Sequence, residues 1–209
     1  SECAIVRHQP VSDRVEWVAR LAASWASLRA AETGERRVAL VLANYPNKDS
    51  RIANGVGLDA PASTTTLLRA LSEAGYRIGQ APCEDPKALM DVLLTGPTNL
   101  DPSRQSTTTL HLSAADYEAF FAALDPQVRT AISERWGAPS ADPFWDGNGF
   151  HLALHRFGNI LLGIQPQRGY HLDIEGTYHD PDLVPPHGYL AFYAAVRAQA
   201  DAVVHVGKH

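Results

Sequence analysis

The stretch VALVLANYPNKDSRIANGVGLDAPAST, residues 38–64, opens with six consecutive apolar residues, Val38 to Ala43. Six residues are too few for a helix, and polar turn-forming residues follow them, so the run predicts a strand that is buried on both faces. A helix is predicted from Pro61 to Ala74, with Asp59 at its N-cap and a glycine directly after its end. A buried strand, a loop and a helix in this order are typical of a parallel sheet covered by helices.

The alternation of strands and helices continues along the chain. Periodicity and capping residues predict further helices at 11–31, 85–94, 113–124, 125–136 and 187–200, and strands at 76–78, 150–155, 159–164 and 202–206. Residues 98–112 and 165–186 are polar and predict loops. We therefore predict an α/β fold: a layered, mostly parallel sheet flanked by helices, Rossmann- or flavodoxin-like. It spans 1–209 as one domain, with possible sub-lobes 1–97 and 98–209.

Composition limits the class of protein. Hydrophobic residues make up 45% of the 209, which is enough for a packed core, and the net charge of −5 argues against a nucleic-acid partner. Apolar runs are too short to predict a membrane span. Two cysteines cannot build a disulfide framework, so we expect a reducing, cytoplasmic setting. The lone Met90 and the end of the chain directly after a strand-like run suggest an internal fragment of a larger multidomain chain.

A glycine pattern in the opening stretch resembles a nucleotide-binding loop. Residues 55–60, GVGLDA, fit G-x-G-x-x-A, but the first glycine lies twelve residues after Ala43 instead of directly after the strand. We favour a different interpretation, in which the loop is a polar lip at the carboxyl end of a parallel strand, where α/β proteins bind ligands. The hydrogen-bonding residues of this lip are Asn44, Asn47, Lys48, Asp49, Arg51, Asn54 and Asp59.

Histidines are concentrated in the last part of the chain, with seven of the nine between 151 and 209. His151 and His155 are four apart on a predicted strand, and we expect them on the exposed polar face of a strand pair. An irregular polar loop contains His171, Asp173, Glu175, His179, Asp180, Asp182 and His187. Mixed nitrogen and oxygen donors of this kind can bind a divalent ion. The loop is equally consistent with ordinary surface polarity, and His187 with a helix start.

His205 and His209 form a second histidine pair. His205 interrupts an apolar strand that we expect to be buried, and His209 follows a Gly-Lys turn at its end. A single such histidine is usually a hydrogen-bonded core residue. Two of them at the ligand-binding edge of a sheet favour a function, provided that they face one cleft with the Asn44 loop. The chain has no G-x-S-x-G or H-E-x-x-H motif, so no hydrolase site is predicted.

Two long segments carry a resemblance to a known family. Residues 38–64 resemble the signature loop of the large, CobN-type subunit of aerobic cobaltochelatases, and residues 157–209, from FGNILLGIQPQRGYHLD to VVHVGKH, resemble the same family. The similarity covers most of 36–80 and 150–209 and extends to the large H-type chain of magnesium chelatase. Magnesium-type loops have the form F-P-P-x-K-G-N-V-G-T, whereas residues 44–55 here read NYPNKDSRIANG, which favours the cobalt type.

The resemblance implies a function. It implies a tetrapyrrole-binding subunit of an ATP-dependent enzyme that inserts Co²⁺ into hydrogenobyrinic acid a,c-diamide in aerobic cobalamin biosynthesis, with the fragment inactive alone. ATP would be hydrolysed by AAA+ ATPase partner subunits and not bound here, and integrin-like chelatase subunits would be further partners. A magnesium chelatase H-type fragment and a non-catalytic docking domain are the alternatives.

The resulting site assignments fall into three groups. The predicted catalytic residues are His205 and His209. The predicted substrate-binding residues are Asn44, Asn47, Lys48, Arg51, Asn54 and Asp59. The predicted metal ligands are His171, His179, Asp180, His187, His205 and His209.

Overall fold

The computed structural model describes residues 8–44, 49, 52–55, 57–170 and 182–207. The helices within these residues are α1 Ser12–Ala30, α2 Ala60–Glu73, α3 Pro86–Leu93, α4 Ala114–Ala122, α5 Pro126–Trp136 and α6 His187–Gln199. The strands are β1 Val38–Leu42, β2 Asn54–Gly55, β3 Leu58–Asp59, β4 Thr109–Ser113, β5 Gly149–Phe157, β6 Ile160–Ile164 and β7 Ala202–Val206. None of the described helices is both long and apolar enough to cross a membrane.

Short polar side chains set the starts of four helices. Asp59, Asp85, Ser113 and Asp125 each accept a hydrogen bond from a backbone N–H in the first turn of α2, α3, α4 and α5. Such caps satisfy N–H groups that have no partner within the helix, and each contributes about 1 kcal/mol. These starts agree with the sequence prediction to within two residues because the cap is encoded locally.

The chain divides into two compact units, Ser1–Glu32 and Thr33–His209. Helix α1 lies in the first unit, and no residue of it is buried. The second unit contains the whole sheet, which takes strands from both sides of residues 97 and 98, where the sequence suggested a possible boundary between sub-lobes. The two compact units separate between Glu32 and Thr33.

The main sheet has five strands in the order β4-β5-β6-β1-β7. β1 pairs in parallel with β6 on one side and with β7 on the other, whereas β4 with β5 and β5 with β6 are antiparallel. The predicted α/β fold is confirmed, and its sheet is mixed. α6 carries the chain from β6 across β1 to β7, which is the expected crossover between parallel strands.

Both faces of β1 are covered, as its unbroken apolar run predicted. Val38, Leu40 and Leu42 pack in a cluster with residues of α2 and α3, such as Leu68 and Leu89. Ala39 and Val41 pack in a second cluster with residues of α4 and α6, including Tyr117, Phe192 and Ala195. The sheet is therefore the middle of three layers, with an α2–α3 side and an α6 side.

Three elements differ from the sequence prediction. β4 and the β2–β3 hairpin lie in segments that were expected to be loops, and Tyr76–Ile78 was expected to be a strand but is not one. β7 was expected to be buried, which is wrong, because β7 is at the edge of the sheet and Val203 and Val204 are 47% and 39% exposed. An apolar run indicates a strand but does not indicate its place in the sheet.

His155 is fully buried, although we expected it on an exposed polar face. Its Nδ1 lies 2.8 Å from the Thr108 hydroxyl, its ring stacks on Phe157, and the loop at Gly96 covers the ring. Burial lowers the pKa of His155, and the Leu93 backbone opposes this shift only in part. The ring is therefore a neutral part of the core.

Acidification should destabilise the chain through His155. Because the pKa of His155 is lower in the folded chain than in the unfolded chain, the unfolded chain binds an extra proton below about pH 6.5, with a slope of up to about 1.4 kcal/mol per pH unit. The free energy of unfolding should fall as the pH falls through this range. His155→Phe should remove this part of the pH dependence and His8→Phe, at an exposed position, should keep it. Urea denaturation at about pH 5.5 and 7.5 gives the free energy of unfolding of both variants. If this free energy depends on pH in His155→Phe as it does in the unaltered chain, His155 is not the group responsible.

Candidate functional site

The parallel strands β6, β1 and β7 end side by side. Leu42 is in register with Ile164 and with Val206, and the ladder continues because the N–H of Gln165 donates to the Leu42 carbonyl at 2.8 Å. A Cβ at Gly207 would lie 2.3 Å from the Cβ of Ala43, so only glycine lets the chain leave β7 here. The carboxyl edge of parallel strands is where open α/β sheets bind ligands.

Asn44 is the first polar side chain after β1, and it is only 4% exposed. Among the described residues, neither its side-chain nitrogen nor its side-chain oxygen has a hydrogen-bond partner. Leaving a buried donor or acceptor unpaired costs about 1–3 kcal/mol. A buried, unpaired amide at a ligand-binding edge offers one donor group and one acceptor group to an incoming polar molecule.

The loop that follows β1 returns to the strand through a constrained segment. Asn44 pairs with Ile52 in an isolated bridge, and the N–H of Ala53 donates to the Ala43 carbonyl at 2.7 Å. Ala53 has a φ of 58°, in the left-handed region that costs a residue with a Cβ about 1 kcal/mol or more. Ile52 and Ala53 are both buried in the α2–α3 core cluster, which holds the strained backbone in place.

An ion-pair group lies beside this loop. A guanidinium nitrogen of Arg104 is 3.2 Å from Asp49 Oδ2, and another is 3.0 Å from Asp101 Oδ2. The other oxygen of Asp49 is buried and has no hydrogen-bond partner among the described residues. Arg104 therefore connects the loop after β1 to the loop after α3, and Asp49 retains a buried acceptor.

Asn99 clamps the end of β6. Its side-chain N–H₂ donates to the Gln165 carbonyl at 2.9 Å, and its side-chain oxygen accepts from the Gln167 N–H at 3.2 Å. Asn99 is 7% exposed, so it is nearly as buried as Asn44, but both ends of its amide are paired. Sequence reasoning missed Asn99 because its partners lie more than sixty residues away in the chain.

A buried polar network holds the start of α6. The Asp142 carboxylate accepts hydrogen bonds from the N–H of Gly188 at 2.7 Å and from the Tyr170 hydroxyl at 3.0 Å. Burial raises the pKa of Asp142, and the N–H groups of Phe144 and Gly188 and the Tyr170 hydroxyl oppose that rise. Burial, and then the charge of Asp142, raises the pKa of Tyr170. The network therefore keeps the Tyr170 hydroxyl protonated and fixes the helix start.

His187 belongs to the same region and is fully buried. Its Nε2 lies 3.1 Å from the Gly137 carbonyl oxygen, so Nε2 carries the proton, and Nδ1 accepts from the Tyr117 hydroxyl at 2.6 Å. With both ring nitrogens paired, His187 is not open to a metal ion in this arrangement.

The predicted substrate-binding residues fall in different places. Asn44 lies at the sheet edge, while Asp59 caps α2 by accepting from the Ala62 N–H at 3.0 Å. Asn54 lies in β2. Three more predicted contacts lie outside the described residues: Asn47, Lys48 and Arg51. The structure thus describes one of the six as a buried polar group at the edge.

The predicted catalytic and metal residues are also separated. His205 is exposed on β7 and stacks on Tyr193 of α6, with ring centroids 6.2 Å apart. It is in register with Val41, whose side chain lies on the α6 side of the sheet. Asn44 continues the alternation of Leu40 and Leu42, which face the α2–α3 side. The remaining predicted ligands lie outside the described residues: His171, His179, Asp180 and His209.

The glycine pattern lies in the β2–β3 hairpin. Gly55 pairs with Leu58, and Gly57 has a φ of 79° in the turn between the strands. The first turn of α2 already holds the Asp59 carboxylate, which would repel a phosphate from the position that nucleotide loops use. The glycines therefore serve a tight turn.

Comparison with known proteins gives consistent matches. A family model described as CobN/Magnesium Chelatase matches residues 1–209. The chain is 50% identical to the aerobic cobaltochelatase subunit CobN of a Sinorhizobium species, over all of this chain and 16% of that protein. It is 46% identical to the CobN subunit of Pseudomonas aeruginosa, over all of this chain and 17% of that protein.

More distant relatives and a solved structure agree. The H-type magnesium-chelatase chain of Chlorobaculum parvum is 30% identical over 96% of this chain and 16% of its own length. The catalytic subunit of cobaltochelatase from Mycobacterium tuberculosis matches in structure with a TM-score of 0.78 and 37% identity, over 94% of this chain and 17% of that one. The chain thus spans about a sixth of the length of the relatives that it matches.

The two buried asparagines should respond oppositely to the same substitution. Asn44→Leu replaces an unpaired amide with an apolar group of similar branching, so it should raise the free energy of unfolding by about 1 kcal/mol. Asn99→Leu removes the hydrogen bonds that Asn99 makes to the Gln165 carbonyl and the Gln167 N–H, and it should lower the free energy of unfolding by about 1–3 kcal/mol. Urea denaturation of both variants measures the difference, and destabilisation of similar size in both would show that Asn44 is paired.

Proposed function

The chain belongs to the CobN/magnesium chelatase family, and we propose that it forms part of the tetrapyrrole-binding large subunit of a cobaltochelatase. In this proposal the enzyme inserts Co²⁺ into hydrogenobyrinic acid a,c-diamide during aerobic cobalamin biosynthesis. ATP is hydrolysed by separate AAA+ subunits, integrin-like subunits are further partners, and this part of the large subunit contributes to the corrinoid site. The observation that carries the proposal is the buried amide of Asn44 at the sheet edge, which has no hydrogen-bond partner among the residues that the structure describes.

Identity to relatives favours cobalt over magnesium. The two cobaltochelatase subunits named above are 50% and 46% identical to the chain, whereas the H-type magnesium-chelatase chain of Chlorobaculum parvum is 30% identical. The substrates of the two enzyme types differ in their side chains, because the a,c-diamide carries amides in addition to carboxylates. The asparagine of the cobalt-type loop suits such a substrate, since an amide can donate and accept at once.

Corrinoid binding at this edge has a clear physical basis. A side-chain amide of the substrate could accept from the Asn44 N–H₂ and donate to its carbonyl oxygen. Both groups of Asn44 are already desolvated in the free chain, so once the residues that cover the amide move aside, the bond forms without a further desolvation cost for the amide itself. The backbone contacts of Ile52 with Asn44 and of Ala53 with Ala43 keep the amide in position before binding. This reduces the entropy that is lost when the substrate binds.

Metal insertion also requires the loss of pyrrole protons and of water from the cation, and imidazoles and carboxylates can provide both. The assignment of this chemistry to His205 and His209 stays a prediction. His205 is exposed on the α6 side of the sheet, whereas Asn44 follows the alternation of the α2–α3 side. The two assignments can therefore be tested separately.

The chain should bind hydrogenobyrinic acid a,c-diamide with a change in its Soret-region absorption. Asn44→Leu should weaken binding by about tenfold to a hundredfold, since a lost hydrogen-bonded amide pair costs about 1.4–3 kcal/mol. Asn159→Ala is the matched control, because Asn159 lies before β6 at the opposite edge, where its amide donates to the Gly34 carbonyl. Absorption titrations of the three chains give the affinities.

Two outcomes would contradict the proposal. One is an unchanged spectrum of the unaltered chain at high micromolar corrinoid. The other is equal affinity of the Asn44→Leu and unaltered chains. A porphyrin that carries carboxylates but no amides serves as the comparison ligand, and tighter binding of this porphyrin would favour the magnesium-type alternative.

A further inference from the structure

A second group of polar side chains lies at the same end of the sheet. His111 of β4, His151 of β5 and Asp146 of the turn before β5 each direct one ligand atom toward a common point, and these atoms lie within 4.8 Å of one another. Asp146 Oδ2 is 3.2 Å from the Nε2 of His111 and 3.5 Å from the Nε2 of His151. We call these three residues the His–Asp–His cluster.

Strand pairing brings the two histidines together. His111 and His151 are directly opposite in the antiparallel β4–β5 ladder, so their side chains leave the same face of the sheet. Their rings meet edge to face with centroids 5.3 Å apart. Sequence reasoning missed the cluster because β4 was expected to be a loop, and His111 was therefore not placed beside His151.

The separations suit a transition metal. Ligands about 2.0–2.1 Å from a tetrahedral ion lie about 3.3 Å apart, close to both carboxylate–imidazole separations in the structure, and the two imidazole nitrogens lie within 4.8 Å of each other. Two imidazoles and one carboxylate form a mixed donor set that suits Co²⁺, Zn²⁺ and Fe²⁺, while Mg²⁺ prefers oxygen ligands only. The side chains are 20–34% exposed, so further coordination positions face solvent and remain accessible to an exchanging ligand.

The surrounding backbone orients the cluster. The N–H of Asn148 donates to Asp146 Oδ1 at 2.9 Å, which leaves Oδ2 directed at the histidines. A Cβ at Gly149 would lie 2.8 Å from the His111 ring and 2.1 Å from the Leu112 carbonyl oxygen, so glycine is required for the ring to occupy this position. Support of this kind around the ligands is what metal sites use to fix ligand geometry.

The strand registers, continued to the edge of the sheet, predict that the cluster lies near Asn44. His155 is in register with Leu162, which is in register with Leu40, and continuing both registers by four residues, past the last paired residues Leu154 and Leu42, brings His151 level with Asn44. Two strand spacings then predict a separation of about 10 Å. The side chains of His151 and His155 leave the same face of β5. Ala153 and Phe157 leave that face too and pack on the α2–α3 side, where the alternation along β1 also places Asn44.

We propose that the His–Asp–His cluster binds a divalent transition-metal ion and holds the cobalt cation beside the Asn44 edge before insertion. The ligand set of the cluster supports a metal site by itself, and the assignment of its ion as the cobalt to be inserted rests on the proposed function. A tetrapyrrole that contacts Asn44 extends its ring from there, so a cation held two strands away lies beside the ring. Open coordination positions allow the ion to pass to the ring nitrogens.

Titration of Co²⁺ into the chain without corrinoid tests the site. Visible absorption bands of bound Co²⁺ and calorimetry report the affinity, with Mg²⁺ as the comparison ion. His111→Ala, His151→Ala and the near-isosteric Asp146→Asn should each weaken one Co²⁺ site by at least tenfold, while His8→Ala should leave it unchanged. The midpoint of urea denaturation shows whether each variant is folded. Asp146→Asn keeps the shape of the turn, so its loss of Co²⁺ affinity reports on the ligand itself.

The outcomes separate this inference from the proposed function. Equal Co²⁺ affinity in the unaltered chain and Asp146→Asn would overturn the metal site, whatever the corrinoid titration shows. The metal site would also be overturned if His205→Ala lost Co²⁺ binding while His111→Ala, His151→Ala and Asp146→Asn all bound Co²⁺ as tightly as the unaltered chain. Binding of Co²⁺ at the cluster without binding of the corrinoid would support the metal site and overturn its assignment as the place that holds cobalt for insertion.

Discussion

The burial of β1 on both faces is the constraint on which the rest of the structure depends. Four of its five side chains are fully buried and Val38 is 7% exposed, and each buried Val or Leu contributes about 1.5–3 kcal/mol. This burial requires α2 and α3 on one side, α4 and α6 on the other, and a parallel neighbour at each edge. The chain can become polar only where β1 ends, so its first polar side chain, Asn44, is held at the sheet edge.

The same sheet sorts the polar groups into two sides. The alternation of β1 and β5 assigns Asn44 and the His–Asp–His cluster to the α2–α3 side, while register with Val41 assigns His205 to the α6 side. Asn99, paired at both ends, closes the edge between the first two features. One end of one face thus combines the Asn44 amide, which has no hydrogen-bond partner among the described residues, with a set of metal-binding donors, and together they suit a polar macrocycle and its cation.

Local patterns in the sequence were sufficient to predict much of the fold. The apolar run predicted β1, and the capping residues Asp59, Asp85 and Asp125 predicted three helix starts, because both effects act within a few residues. β4 and the exposure of β7 were not predictable, since they depend on which strand lies alongside. The candidate site likewise depends on both local and distant residues. The position of Asn44 directly after a strand was predictable from the local sequence, but whether its amide is paired depends on residues that are distant in sequence. The His–Asp–His cluster joins residues up to forty positions apart, and only the pairing of β4 with β5 reveals it.

The side-chain N–H₂ signals of asparagine, observed by NMR in ¹⁵N-labelled chain, test most directly whether Asn44 contacts the corrinoid. Each signal is assigned by its disappearance in the corresponding substitution. On addition of hydrogenobyrinic acid a,c-diamide, we predict a large shift of the Asn44 signal, with the Asn159 signal at the opposite edge unchanged. A corrinoid that binds, as its own absorption shows, while the Asn44 signal stays in place would contradict the account.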